Sequence, residues 1–521
     1  MTNSIVSSSG DYRVDSLLIG VKWGSGDVGT GTTLSYSYPT DGSLWYYSSN
    51  DEANAGWYGL SSAQQQDFDS ALNAWAEVAN INLSQVTDGS GYGEYGDIRV
   101  AYTYAISGAV AAYAYTPGNG TYIFNQGVSP SDEAGDIWIN PEVSDLGIGS
   151  QGYATLLHEI GHALGLKHTF DAEGEFPALN AAEDDTHYSL MSYTDYLGAG
   201  YLFEEQDGFY SYTARAASTP MLYDILAIQY LYGANTSTRT GDDTYSFATD
   251  AELKAIWDAG GTDTFDLSNQ LTGVNLNLTA GSFSDIGQKQ MEYQGAKTLA
   301  EDNIAIAFNV EIENAIGSAY DDSLTGNALD NQLTGGAGND SLDGGAGTDT
   351  AVFSGNRSAY TITGTTDNAS VSGQDGTDSL TAIENLQFDD GSYSLASLLA
   401  QGEGVPPPTQ KSEVDFSPTE GSLAYFLLEL SGPLSSAASV SYSTRDGTAI
   451  AGEDYVATSG TAFIAAGETY TTIAVELIDD SLQEGDETFS LAVFAPVGGV
   501  FGDSQVELVA QRTITDNDTV V

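Results

Sequence analysis

Cysteine is absent from the 521 residues, so no disulfide holds any part of the chain together. Basic side chains are scarce too: 13 Lys and Arg stand against 73 Asp and Glu, a formal charge of −60. Such a surface repels nucleic acid and anionic membranes, which argues against both as partners. No run of about 18 apolar residues occurs, so no transmembrane segment is expected. Residues 1–20 lack a basic stretch followed by an apolar core, which argues against a Sec-type signal. Proline is sparse outside QGEGVPPPTQ at 401–410, which reads as a stiffened linker. Histidine is rarer still: of four, three fall within residues 158–168.

What is present is patterned. The 60 glycines and 11% aromatics recur in ordered arrays, which speaks against disorder as the reason for the acidity. Divalent cations are the better candidate for the missing positive charge. The length suits about three domains, each able to bury its own core.

The run HEIGHALGLKH carries the chemistry. On a helix His158 and His162 stand one turn apart and leave the same face, with Glu159 beside them to take a proton from a water. Gly165 can adopt a left-handed backbone, end the helix and swing His168 back as a third ligand. Three neutral imidazoles with one position open describe a catalytic zinc site rather than a closed structural one. The pattern HExxHxxGxxH is the metzincin motif. Downstream, Ser189-Leu190-Met191-Ser192-Tyr193 resembles the Met-turn of the serralysin branch, secreted bacterial zinc endopeptidases. That resemblance implies a packing role for Met191 under the metal. It makes Tyr193 a movable further zinc ligand that donates to the oxyanion. His187 matches no ligand position and reads as a surface histidine.

The fold expected from these signals is an α+β metzincin catalytic domain followed by two all-β parts, a parallel β-roll and a Calx-β sandwich. The segment SLLIGVKWG from Ser16 resembles the start of the serralysin protease domain, with room for a short activation segment before it. Phe68, Leu72, Trp75 and Ala79 recur at helical spacing after Ser61 and Ser62, which predicts a capped helix over 64–79. Residues 98–102, 110–115 and 136–139 read as strands. The second is either sheet core or the edge strand that, in this family, pairs with substrate. DILAIQYLYG at 224–233 resembles the helix that closes the serralysin catalytic domain.

Read in nines from Gly317, the chain gives GSAYDDSLT, GNALDNQLT, GGAGNDSLD and GGAGTDTAV, the calcium-binding template of β-rolls. Asp322, Asn331, Asp340 and Asp349 at the sixth position would supply side-chain oxygens. Gly336, Gly338, Gly345 and Gly347 would make the turns that bring carbonyls to the ion. Leu324, Leu333, Leu342 and Ala351 at the eighth would face inward. The first two repeats lack the double glycine. Resemblance to the serralysin roll adds Arg239, Gly241, Asp258, Gly260, Gly261 and Asp263 as calcium-holding positions. It adds Asp243 across a one-residue displacement, Glu313 as a further ligand and Glu311 as its partner.

After the linker, DGTAIAGEDY, SGTAFIAAGET, IDDSLQEGDETF and ITDND resemble a Calx-β domain. Its calcium ligands would correspond to Glu420, Asp446, Asp479, Asp480, Glu484, Glu487, Asp516 and Asp518; solubility is the alternative reason for these acids. The expected division is therefore protease 1–238, roll 239–400, linker 401–411 and sandwich 412–521. The C-terminal Asp518-Thr519-Val520-Val521 resembles the ending of type I secretion substrates, so the secretion apparatus joins protein substrates and calcium among the expected partners. A secreted, monomeric, calcium-dependent zinc endopeptidase follows from these readings. The competing reading is a calcium-dependent adhesion or matrix-binding protein whose protease domain is inactive.

Overall fold

The histidine-bearing helix Gln151–Leu164 sits against a mixed sheet in the computed structural model of the chain. The structure describes residues 3–45, 51–91, 93–117, 132–206, 209–400, 411, 414–434, 437–479, 485–501 and 505–517. They divide into two compact units: Met1–Asp263 with Leu278–Ile312, and Thr264–Asn277 with Glu313–Val521.

In the first unit the sheet order is Ile81–Gln85, Thr32–Ser37, Ile98–Thr103, Asp136–Ile139 and Ala112–Ala114. The first four strands are parallel and the last, at the edge, is antiparallel. Ile98–Thr103 and Asp136–Ile139 are buried throughout, as central parallel strands covered on both faces should be. The predicted helix runs Ser62–Val78. Ser61 caps it by accepting from the Gln64 amide, and the Gln64 side chain accepts from the Ser61 amide. Its inward stripe, Phe68, Ala71, Leu72, Trp75 and Val78, faces the histidine helix, and Trp75 Nε1 donates to Leu157 O at 3.1 Å. Leu222–Tyr232 forms the closing helix. The strand Asn3–Ile5 pairs antiparallel with Val21–Trp23, so the residues before Ser16 contribute a strand of the unit from Asn3 on.

His187 is not a surface residue. It is only 7% exposed, stacked on Tyr196 with ring centroids 4.1 Å apart, and its Nδ1 meets Asp185. An apolar shelf formed by Tyr188, Tyr196 and Phe283 covers the ring, a contact made by residues distant in the chain.

The second unit holds the roll. Two stacks of parallel strands run through it, with Phe265, Ala315, Leu333, Ala351 and Leu386 in one register and Leu276, Leu324, Leu342 and Leu380 in the other. All nine are buried, so the inward column predicted from the nine-residue period is present. Beyond it, Ala438–Asp446, Ser459–Ile464, Glu487–Val497 and Glu507–Ile514 form a four-stranded antiparallel sheet, and Leu423–Glu429 pairs with Tyr470–Glu476. Phe426, Tyr442, Tyr455, Val475, Phe489 and Ile514 share one core between these sheets. The linker 401–410 lies outside the described residues.

Candidate metal centre

Ser150 starts the histidine helix by accepting from the Tyr153 amide, and Gly165 ends it at φ 112°. A side chain at Gly165 would be strained by that φ and would bring a Cβ to 2.6 Å from Val21 O. The reversal returns the chain so that His158, His162 and His168 offer ring nitrogens all within 4.8 Å of one another. Gly161 makes room beneath: a Cβ there would lie 2.8 Å from Met191 Sδ. Met191 is fully buried and packs as the Met-turn resemblance implies.

Each ring has its outer nitrogen committed. His158 Nδ1 meets Leu190 O at 2.7 Å, His162 Nδ1 meets Leu166 O at 2.9 Å, and His168 Nδ1 meets Asp171 Oδ2 at 3.1 Å. These partners can only accept, so each Nδ1 carries the proton and a neutral ring leaves its Nε2 lone pair free. Burial reinforces neutrality: it pulls His158 down to about 4 and His162 well below the usual imidazole range. His162 Nε2 and His168 Nε2 stand 3.1 Å apart, lone pair towards lone pair. A cation held by both nitrogens would relieve that arrangement. The donor set, three imidazoles oriented by second partners, suits zinc.

Glu159 is buried, and the Ala114 amide of the edge strand bonds its carboxylate. Its Oε2 has no hydrogen-bond partner among the described residues. Burial pushes the carboxyl up to about 8, and a divalent cation in front of it acts in the opposite direction. A group so poised can hold a proton for part of a catalytic cycle. Tyr193 is 68% exposed, and its hydroxyl lies 2.8 Å from His168 Nε2. It therefore reaches the centre from a mostly exposed position, its ring beside those of His168 and Phe170.

Two residues of this centre have no motif of their own. Asp171 orients His168. Asp224, fully buried, accepts from Ser189 Oγ at 2.6 Å, Leu190 N at 2.8 Å and Met221 N at 2.9 Å, so it holds the residue whose carbonyl meets His158. Burial raises the Asp224 carboxyl to about 6. Asp171 follows the third histidine closely enough to be suspected from spacing. Asp224 is far from all three in sequence, and only packing brings it there.

A second convergence joins Asp243, Asp258 and Asp263, whose carboxylate oxygens also lie within 4.8 Å of one another. Gly260 and Gly261 take φ of 130° and 158°, and a Cβ on Gly261 would sit 2.1 Å from Gly241 O. Arg239 adopts φ 50° and donates to Trp257 O, and its carbonyl accepts from Ala259 N at 3.3 Å. The displaced Asp243 thus belongs with Asp258 and Asp263. Glu311 and Glu313 join no group of three acids among the described residues, and the Glu313 carbonyl accepts from Gln332 N and Asn331 Nδ2.

In the roll, Asp322, Asn331, Asp340 and Asp349 are all buried. Asp340 Oδ1 accepts from Asp322 N at 2.9 Å and Asp349 Oδ1 from Asn331 N at 2.7 Å. The second oxygen of each has no hydrogen-bond partner among the described residues. Burial and neighbouring carboxylates raise Asp340 to about 7 and Asp349 to about 6. Gly336, Gly338, Gly345 and Gly347 all take positive φ, and a Cβ on Gly336 would lie 2.1 Å from Ser318 O. Unshared oxygens beside such turns fit calcium. Asp378, which receives the Asp340 amide, and Glu384, which receives that of Asp349, extend the array past the repeats visible in the sequence.

In the sandwich Asn517 Nδ2 lies between Glu420 O and Asp479 Oδ1. Asp446 accepts from Tyr455 and the Ala451 amide, and Asp479 from Asn517. Among the described residues Glu420, Asp446, Asp479, Glu487 and Asp516 form no group of three. Asp480, Glu484 and Asp518 lie outside the described residues.

Comparison with known families agrees with this anatomy. The matrixin profile matches residues 54–198, a Met-zincin profile 154–259, the serralysin C-terminal profile of peptidase M10 223–396, and the Calx-beta domain 409–518. Serralysin of Proteus mirabilis is 35% identical over 57% of this chain and 59% of its own length. Serralysin C of Dickeya chrysanthemi is 36% identical over 58% of this chain and 61% of its own. Metalloprotease AprA of Pseudomonas entomophila is 32% identical over 61% and 65% respectively. The chain thus spans less than two thirds of the length of these relatives.

Proposed function

We propose that this chain, which belongs to the serralysin-type metzincins and carries a Calx-beta domain, hydrolyses peptide bonds of proteins outside the cell. The observation that carries the reading is the convergence of three imidazole nitrogens next to Glu159, whose Oε2 has no hydrogen-bond partner among the described residues. Zinc held by His158, His162 and His168 would polarise a water and the substrate carbonyl. Glu159 takes the proton of that water and delivers it to the departing amine. Tyr193, exposed and able to swing, donates its hydroxyl to the developing oxyanion. Among the described residues Ala112–Ala114 is the last strand of its sheet and its Ala114 amide bonds Glu159, so an extended substrate adding there would lie across the catalytic carboxylate.

Calcium at Asp243, Asp258 and Asp263 and along the roll has a different task. It neutralises acids that otherwise repel one another, so the roll folds at the roughly 0.1–1 mM calcium of extracellular-type sites. An extended chain inside the cell suits export through a type I apparatus, and the mature protein would act as a monomer. Replacing Glu159 by Gln tests the reading. One zinc per chain by metal analysis should persist, while casein cleavage falls on the order of 10²–10⁴-fold. Cleavage at the wild-type rate would end this assignment.

A further inference from the structure

Lys167, next to the third histidine, points away from solvent. It is 3% exposed, and its Nζ donates to the backbone carbonyls of Ser16, Asp171 and Pro177 at 2.5 to 3.1 Å, with His168 O at 3.4 Å sharing one of the three protons. No carboxylate pairs with it among the described residues. An ammonium ringed by carbonyls is what a bound monovalent cation would look like, here attached to the chain.

Its four partners come from two separate pieces. Ser16 belongs to the segment that runs beside the histidine turn, where Lys167 N donates to Leu17 O, Ile19 N to Gly165 O, and Leu18 bridges Leu166. His168, Asp171 and Pro177 belong to the loop that follows. Asp171 is engaged twice: its carbonyl by Lys167 and its carboxylate by His168 Nδ1. Without the ammonium, four carbonyl dipoles would converge with no donor between them, a cost that favours opening of the loop to water.

We infer that Lys167 is a positioning residue, a built-in cation that gathers the loop carrying His168 and Asp171 and so sets the third imidazole for zinc. The inference rests on the zinc-site reading above. Its consequence is that zinc affinity, not only catalysis, depends on a positive charge at this point.

The test is zinc affinity of the full chain by competition with a chromophoric chelator, in saturating calcium. Lys167→Ala removes the side chain beyond Cβ, a piece with the shape of propylammonium. Affinity should fall about 10- to 100-fold, the usual loss when a partner orienting a metal ligand is removed. Added propylammonium should restore most of it, and 1-propanol, of like shape without charge, should not. Lys167→Met keeps the volume and should lose affinity without rescue by either. Wild-type affinity in Lys167→Ala, or equal rescue by the alcohol, would overturn the inference. Failure of the unmutated chain to bind one zinc would instead remove the zinc-site reading beneath it.

Discussion

Asp340→Asn should make the calcium-free roll more stable at pH 8 and less responsive to calcium. Asp340 is 2% exposed, and its carboxyl is raised from 3.8 to about 7, first by burial and then by Asp378, Asp322 and Asp321. A folded-state value above the unfolded one means that the folded form binds the proton more tightly. This group's contribution is therefore fully present below about pH 4 and is lost as pH rises through about 7. A shift of about three pH units corresponds to at most about 4 kcal/mol, and water reaching the site reduces the expected effect to about 2 kcal/mol. Asparagine keeps an oxygen for the Asp322 amide, and Asn331 already occupies the equivalent place one repeat earlier. Amide hydrogen exchange of peptides covering 317–352 in the intact chain reads the opening free energy at pH 5 and pH 8, with chelator or calcium. In chelator the substitution should flatten the fall in protection between the two pH values. In calcium it should remove part of the protection gained by the wild type. Lower protection than wild type in chelator at pH 8, with an unchanged calcium response, would refute the reasoning.

Tyr193→Phe should leave thermal stability within about 0.5 kcal/mol, since the ring is mostly exposed, and lower kcat on the order of 10²-fold in a peptide-cleavage assay. Asp224→Ala strands three buried donors and should cost about 3 kcal/mol, measured by urea denaturation; a loss under 0.5 kcal/mol would contradict the described network. Leu342→Ala lies mid-column between Leu324 and Leu380 and should destabilise the calcium-loaded roll by about 2–5 kcal/mol, read from the same exchange peptides.

The parts legible in the sequence were those written in short-range periods. A one-turn histidine spacing, a glycine where the helix must reverse, and leucines every nine residues each specify local geometry, because backbone repeat and side-chain direction follow from neighbours alone. The motif thus determined which three imidazoles converge and which carboxylate stands with them, and the period determined the roll's inward column. Tertiary structure decided what has no local period. His187 lies far from Phe283 in sequence, so its burial could not be read from its surroundings. Asp224 reaches the Met-turn only because the closing helix packs there. Lys167 would ordinarily carry its charge to water; it turns inward because Ser16 and Pro177, distant in sequence or pinned by the loop, offer carbonyls in a space that only folding encloses. A carbonyl exists at every residue and carries no sequence signal, so where several converge is settled by packing.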